Sequence, residues 1–204
     1  MKQEKNQMYF ATDPTAKHDE HLVDYHVDNI DLKFTTDAGV FSKLRIDYGS
    51  GVLIKEMKEQ TFPTCGILDV GCGYGPIGLF AAKFWPNQEV TMVDVNERAL
   101  NLAKRNASLN DINNVKILDS NGYENVSGSY GLIVTNPPIR AGKKVVDEIL
   151  RGAKEYLVDE GLLLAVLQKK QGAPSAKKLM TQTFGNCEIL KRDKGYYILA
   201  SRKQ

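Results

Sequence analysis

From Gly66 onward the chain alternates apolar runs of strand length with segments of helical period, a pattern that commits it to parallel β-strands joined by helical crossovers. Gly66-Ile67-Leu68-Asp69-Val70 reads as the first buried strand, followed by a glycine turn and a helix from about Pro76 to Phe84, with proline where helices accept it. Glu89–Asp94 is the second strand, and Asn96 caps a helix through Asn101, Ala103 and Leu109. Val115–Leu118 and Tyr130–Thr135 are the third and fourth strands, Val145–Leu157 a helix, and Gly161–Leu167 the fifth strand. A helix around Ala176–Phe184 precedes two strands, Cys187–Leu190 and Tyr196–Ser201, joined by the hairpin-like turn Asp193-Lys194-Gly195. The count is seven strands.

Ahead of this sheet, Leu32–Thr36 and Phe41–Ile46 flank Ala38-Gly39 and predict a β-hairpin, with Val52–Met57 a short helix. The expected organisation is an N-terminal extension, residues 1–62, packed on a main domain, residues 63–204, as effectively one structural unit. At 204 residues with 42% hydrophobic content, the chain can bury a real core.

Charge excludes some functions. With 27 basic and 25 acidic residues, a formal charge of +2 does not announce a nucleic-acid binder, so any basic surface must be local. Cys65, Cys72 and Cys187 form no C-x-x-C pair and argue against a disulfide framework or a structural zinc. No apolar run reaches the eighteen or so residues of a membrane span, and the N-terminus leads into no signal-type apolar region, so a cytoplasmic protein is expected. His18, His21 and His26 lie among acids ahead of the first confident strand; a polar lead-in is the simpler reading, and no metal is expected.

The turn Asp69-Val70-Gly71-Cys72-Gly73-Tyr74-Gly75-Pro76-Ile77-Gly78 fits two patterns. Gly73 to Gly78 matches the dinucleotide G-x-G-x-x-G, and Asp69 to Gly75 matches the methyltransferase D-x-G-x-G-x-G. A pyrophosphate wants the free N–H groups of a helix N-terminus, and Pro76 removes one of them, which favours a ligand without phosphate. S-Adenosylmethionine suits the turn: Asp69, Gly71, Gly73 and Gly75 supply acceptors and backbone clearance. Asp94, at the end of the second strand, is placed to accept ribose hydroxyls. Asp119, Ser120 and Asn121, after the third strand, could bound the adenine.

Asn136-Pro137-Pro138-Ile139 follows the apolar run of the fourth strand. Each proline fixes φ and removes a backbone donor, so this rigid loop offers carbonyls and one amide to an incoming –NH2 group. The side-chain oxygen of Asn136 and the carbonyl of Pro137 can take the two hydrogens of an exocyclic amine and aim its lone pair at a methyl group, much of the barrier being met by positioning. Pro138 completes the loop.

With Phe34-Thr35-Thr36-Asp37-Ala38-Gly39-Val40-Phe41-Ser42, the Asp69–Gly75 turn and Asn136-Pro137-Pro138, the chain resembles the "methyltransferase small" family and, within it, the small-subunit ribosomal RNA guanine-N2 methyltransferases, from about Tyr25 to the C-terminus. The resemblance implies a class I, Rossmann-like α/β fold of three layers, with a seven-stranded, mostly parallel sheet whose last strand is antiparallel. It also implies a single copy of a fold that better-known members carry twice. The family usually places an aromatic after the second proline, where this chain has Ile139. Stacking on an aromatic contributes roughly 1–3 kcal/mol per base, and Phe41 is the candidate to supply the missing face. Arg140, Lys143 and Lys144 after the acceptor loop, and Lys169 and Lys170 after the fifth strand, are expected at the cofactor edge, where RNA phosphates would lie.

The expected activity is S-adenosylmethionine-dependent methylation of a guanine amine in ribosomal RNA or a ribosomal particle, by a monomer or homodimer. Adenine-N6 or protein glutamine-N5 methylation is the alternative. A nicotinamide oxidoreductase would leave the acceptor loop unexplained, and a non-catalytic RNA-binding module is a third class.

Overall fold

The computed structural model describes residues 17–42 and 44–204. Residues 1–16 of the expected N-terminal extension, and Lys43 of the expected second hairpin strand, lie outside the described residues.

A hairpin does open the fold, but with a different partner from the one read above. Strand β1 (His21–Val27) pairs antiparallel with β2 (Ile30–Thr36), in register Val27↔Ile30 to His21↔Thr36. The turn falls at Asp28-Asn29, where Asp28 takes a φ of 53°. Phe41-Ser42 and Leu44–Ile46 form no strand, because Asp37 turns inward: its buried carboxylate accepts from the Asp19 N–H at 2.6 Å and the Ala38 N–H at 2.7 Å, and pairs with His18 Nδ1 at 2.5 Å. Ser42, at φ 60°, further breaks any extended run.

Helix α1 (Tyr48–Met57) starts four residues before the expected Val52. Its first turn holds Gly49 and Gly51, poor helix formers that hide it from a propensity reading. A Cβ at Gly49 would stand 2.7 Å from the Tyr196 ring, so the glycine is there for close approach. Asp47 caps the helix, Oδ2 accepting from the Ser50 N–H at 3.1 Å.

The rest follows the predicted order: β3 (Ile67–Val70), α2 (Pro76–Phe84), β4 (Val90–Asp94), α3 (Glu97–Leu109), β5 (Val115–Asp119), β6 (Tyr130–Thr135), α4 (Lys143–Tyr156), β7 (Leu157–Gln168), α5 (Ala173–Phe184), β8 (Glu188–Asp193) and β9 (Tyr196–Arg202). The sheet has seven strands in the order β5-β4-β3-β6-β7-β9-β8. The pairs from β5 to β7 are parallel, while β9 runs antiparallel to both β7 and β8.

Strands buried on both faces carry apolar residues at successive positions, and the period of two splits each strand between two cores. Ile67, Leu132, Leu164 and Ile198 face the core that includes Leu53 of α1, Phe80 of α2 and Ala103 of α3. Their neighbours Leu68, Ile133, Leu163 and Leu199 face the core that includes Ile149 of α4 and Met180 of α5. Each such side chain contributes about 1.5–3 kcal/mol by burial. The hairpin is tied to the main fold by two asparagines about one turn apart, Asn106 in α3 and Asn110 at its C-cap. Asn106 accepts from the Thr35 N–H at 2.7 Å and donates to the Thr35 carbonyl at 3.0 Å, and Asn110 does the same for Lys33 at 2.9 and 2.7 Å. Phe34, fully buried between them in sequence, stacks on Phe80.

Among the described residues, no helix is long and apolar enough to cross a membrane. His18, His21 and His26 pair separately with Asp37, Asp19 and Asp31.

Candidate active site

Parallel strands leave their carboxyl ends at one edge of the sheet, and ligands bind there because loops diverge from that edge. A cleft of about 750 Å³ lies along it, walled by the ends of β3, β4, β6 and β7 and the loop after β2. Gly71, Gly73, Asp94, Ser120, Asn121, Asn136, Pro137, Pro138, Ile139, Arg140 and Phe41, all named from sequence, line it. Asp69, Gly75, Asp119 and Lys143 are not on its wall.

The glycine turn follows from backbone geometry. Gly71 and Gly73 have φ of 76° and 57°, and a Cβ on either would meet no protein atom within 4 Å. Any side chain there would therefore occupy cleft space rather than clash with the fold. Gly75 differs: at φ 100° its Cβ would meet Met92 Cε at 2.9 Å, so it serves packing at the start of α2. Cys72 is buried within the turn and also faces the cleft, its thiol donating to the Gly73 carbonyl at 3.5 Å.

Asp69 supports this turn from beneath. It is fully buried, Oδ2 accepts from the Gly78 N–H at 2.8 Å, and Oδ1 has no partner. Burial pushes its carboxyl up to about 7, against the pull of the Gly78 hydrogen bond. Asp94 stands at the cleft itself, with Oδ2 accepting from the Gly73 N–H at 2.8 Å and Oδ1 from the Asn96 N–H at 2.9 Å. Burial raises its pKa despite these donors. A carboxylate offers about four acceptor positions, so both oxygens keep capacity for a diol.

The acceptor loop is held from three sides. Thr135 Oγ1 donates to the Val70 carbonyl at 2.8 Å, fixing the end of β6 to the end of β3. The Pro138 carbonyl is taken by the Ala141 N–H at 2.9 Å, while the Pro137 carbonyl accepts no hydrogen bond among the described residues. Asn136 Nδ2 donates to Asp47 Oδ2 at 3.1 Å and to Ser50 Oγ at 2.9 Å. Both amide hydrogens are thereby engaged at the start of α1, and Oδ1 is the atom left for the cleft. This pairs the side-chain oxygen of Asn136 with the carbonyl of Pro137 as neighbouring acceptors.

Phe41 is 52% exposed on the cleft wall. Its loop is moored to α3: Arg98 Nη1 donates to the Ala38 carbonyl at 2.7 Å, and Asn96 Nδ2 to the Gly39 carbonyl at 3.0 Å. The sequence marks Asn96 only as a helix cap. It does cap α3, accepting from the Ala99 N–H at 3.1 Å, and it also joins Asp94 to the Phe41 loop. Asp47, Ser50, Gln168, Gln171 and Tyr196 also line the cleft and were not singled out from sequence. The position of Gln168 at the carboxyl end of β7 was the available signal. Lys143 and Lys144 pair with Asp147 and Glu148 one turn along α4.

The chain belongs to the methyltransferase small domain family, whose model matches residues 31–200. Members of this family are S-adenosylmethionine-dependent methyltransferases. The chain is 45% identical to the uncharacterized protein YbxB of Bacillus subtilis (strain 168), over 96% of its own length and 98% of the other. It is 32% identical to the ribosomal RNA small subunit methyltransferase C of Pasteurella multocida (strain Pm70), covering 80% of this chain and 50% of that protein. In fold it is similar to the T. thermophilus 16S rRNA N2 methyltransferase RsmC, solved in complex with AdoMet and guanosine, with a TM-score of 0.83 at 22% identity over 94% of this chain and 52% of that one. The chain thus spans about half the length of these two methyltransferases.

The residues present fit the family's cofactor. Two glycines with open space above them clear the backbone for a bulky ligand, and Asp94 offers a diol acceptor beside them.

Proposed function

We propose that this protein is an S-adenosylmethionine-dependent N-methyltransferase that methylates an exocyclic amine, and that the amine is guanine N2 of ribosomal RNA. Gly71, Gly73 and Asp94 hold the cofactor, with Ser120 and Asn121 at its adenine end; Asp69 holds the turn from below. The cofactor supplies an electrophilic methyl group on a sulfonium.

The observation that carries the reading is the fixed orientation of Asn136. An exocyclic amine on a heteroaromatic ring is a poor nucleophile, because its lone pair is delocalised into the ring. Asn136 Oδ1 and the Pro137 carbonyl accept its two hydrogens, turning the nitrogen toward tetrahedral geometry with the lone pair aimed along the cleft. No strong base is required, since the nitrogen becomes acidic on alkylation and releases its proton to water. Phe41 supplies the apolar face for the base, and Ile139 and Arg140 also line the cleft.

Support for an RNA acceptor comes from the Phe34–Ser42 segment and from the similarity to ribosomal RNA methyltransferases. The test is incubation of purified protein with tritiated S-adenosylmethionine and total RNA from cells lacking the protein. Label in RNA, released as N2-methylguanine on hydrolysis, is the expected result. Label in DNA or protein instead would turn the reading to adenine-N6 or glutamine-N5 methylation.

A further inference from the structure

The order of strands dictates from which side a polymer can reach the acceptor loop. Along the carboxyl edge, β5, β4 and β3 carry the residues assigned to the cofactor, and β6 carries Asn136. The part of this edge beside the acceptor and away from the cofactor residues is formed by β7, β9 and β8. From β6 to β8 this is three strand spacings, about 14 Å.

That side of the edge is basic and aromatic. Lys169 and Lys170 form a single turn after β7, and Lys194 sits in the β8–β9 turn, all three exposed. None of the three pairs with a carboxylate among the described residues, in contrast with Lys143 and Lys144. The two turns are joined, the Lys169 N–H donating to the Gly195 carbonyl at 2.7 Å. Gln168 Nε2, at the cleft, donates to the Tyr196 hydroxyl at 2.6 Å. Tyr48, 39% exposed, tilts against Tyr196 with ring centroids 5.7 Å apart. Its hydroxyl donates to Asp193 at 2.9 Å, which occupies the acid of the turn, and Lys194 Nζ lies 4.9 Å over its ring. Lys194 adopts φ 42°, the left-handed conformation that a two-residue hairpin turn requires.

We propose that this face, Lys169, Lys170 and Lys194 beside Tyr48 and Tyr196, is the track for the single-stranded RNA that flanks the acceptor nucleotide. It deepens the methyltransferase reading and rests on it. Lys169 and Lys170 are open to phosphates, and Lys194 rests on the Tyr48 ring, from which a phosphate can draw it so that a base stacks there without regard to sequence. A duplex is not the expected occupant, since its bases are already stacked on one another.

The test measures binding of a labelled single-stranded RNA of about sixteen nucleotides by fluorescence anisotropy across a range of salt. Each phosphate contact on a single strand contributes about 0.7 to the slope of log affinity against log salt. The variant Lys169→Gln/Lys170→Gln/Lys194→Gln is expected to lose about 2 from that slope, with S-adenosylmethionine affinity unchanged by calorimetry. Lys104→Gln/Lys116→Gln, remote from this edge, should leave the slope at its wild-type value. Lys170→Gln alone, with a loss of about 0.7, serves if the triple variant does not fold. Equal slopes in wild type and variants overturn the proposal, as does a loss confined to duplex RNA or to polyglutamate. If the wild type binds RNA through these lysines but transfers no methyl, the methyltransferase reading fails and the track stands. If it methylates RNA and the lysine variants keep the wild-type KM for RNA, the track alone falls.

Discussion

Asn136 and Asp47 lie 89 residues apart in sequence and share a hydrogen bond, Nδ2 to Oδ2, at 3.1 Å. The same Asp47 oxygen accepts from the Ser50 N–H and caps α1. The residue that starts a helix in the N-terminal segment therefore also decides which end of the Asn136 amide faces the cleft.

Replacing Asn136 by Ala should lower kcat by about 100-fold or more, the scale of losing a positioning contact, with cofactor affinity unchanged. Asp47→Ser keeps a capping oxygen, so the unfolding free energy should stay within about 1 kcal/mol of wild type, while kcat falls and KM for the acceptor changes little. A kcat equal to wild type in both variants, measured at saturating cofactor, would remove the Asp47–Asn136 pair from the chemistry.

Gly73→Ala places a methyl group where no protein atom stands within 4 Å, at φ 57°. The expected stability loss is only that of a left-handed alanine, about 1–2 kcal/mol, whereas cofactor binding should weaken far more. Calorimetric titration beside urea unfolding separates the two effects.

Asp69 makes stability depend on pH. Its carboxyl ionises near 7 in the fold and near 3.8 when unfolded, so between these values the native state holds a proton that the unfolded chain has lost. Stability from this group is fully present below pH 3.8, falls as pH rises, and levels off above 7; the total is on the order of 4 kcal/mol. Asp69→Asn should abolish this slope, so the stability difference between variant and wild type should shift in the variant's favour from pH 5 to pH 8. A constant difference in urea unfolding at the two pH values would contradict the assignment.

Phe41→Ala should raise KM for RNA by one to two orders of magnitude, the loss of about 1–3 kcal/mol of stacking, with cofactor affinity retained. Asn96→Ala should reproduce part of that rise by releasing the Gly39 carbonyl, together with about 1 kcal/mol from the lost cap. Ile139→Phe should lower KM if a base lies between residues 41 and 139.

The parallel sheet was legible because strands buried on both faces have no polar phase to misread: Ile67-Leu68, Leu132-Ile133 and Leu163-Leu164 each divide between two cores. Its antiparallel last strand came from the family resemblance. The N-terminal hairpin was partly misread for the opposite reason. In β1, the inward positions His21, Val23 and Tyr25 and the outward Leu22, Asp24 and His26 both mix polar with apolar, so no period stands out. Phe41–Ile46 looked more strand-like, and only the buried Asp37 network shows why it bends. At the site, motif residues at strand ends were readable, whereas the hold of Asp47 and Ser50 on Asn136 was not, since nothing local in sequence announces a contact between α1 and β6. Asp69 looked like a ligand-facing acid and lies beneath the turn, because the first residue of the motif is still inside the sheet.

Cys72 stands in the glycine turn, on the wall of the cleft assigned to the methyl donor. A thiolate there would be a far better nucleophile toward a sulfonium than any ring amine, and the protein would alkylate itself. Burial, helped by the negative charges of Asp94 and Asp69, pushes this thiol well above its ordinary range, and its proton is tied to the Gly73 carbonyl. Burial first, and the neighbouring carboxylates after it, thus keep this sulfur silent, which in the proposed reaction reserves the methyl group for the guest at Asn136.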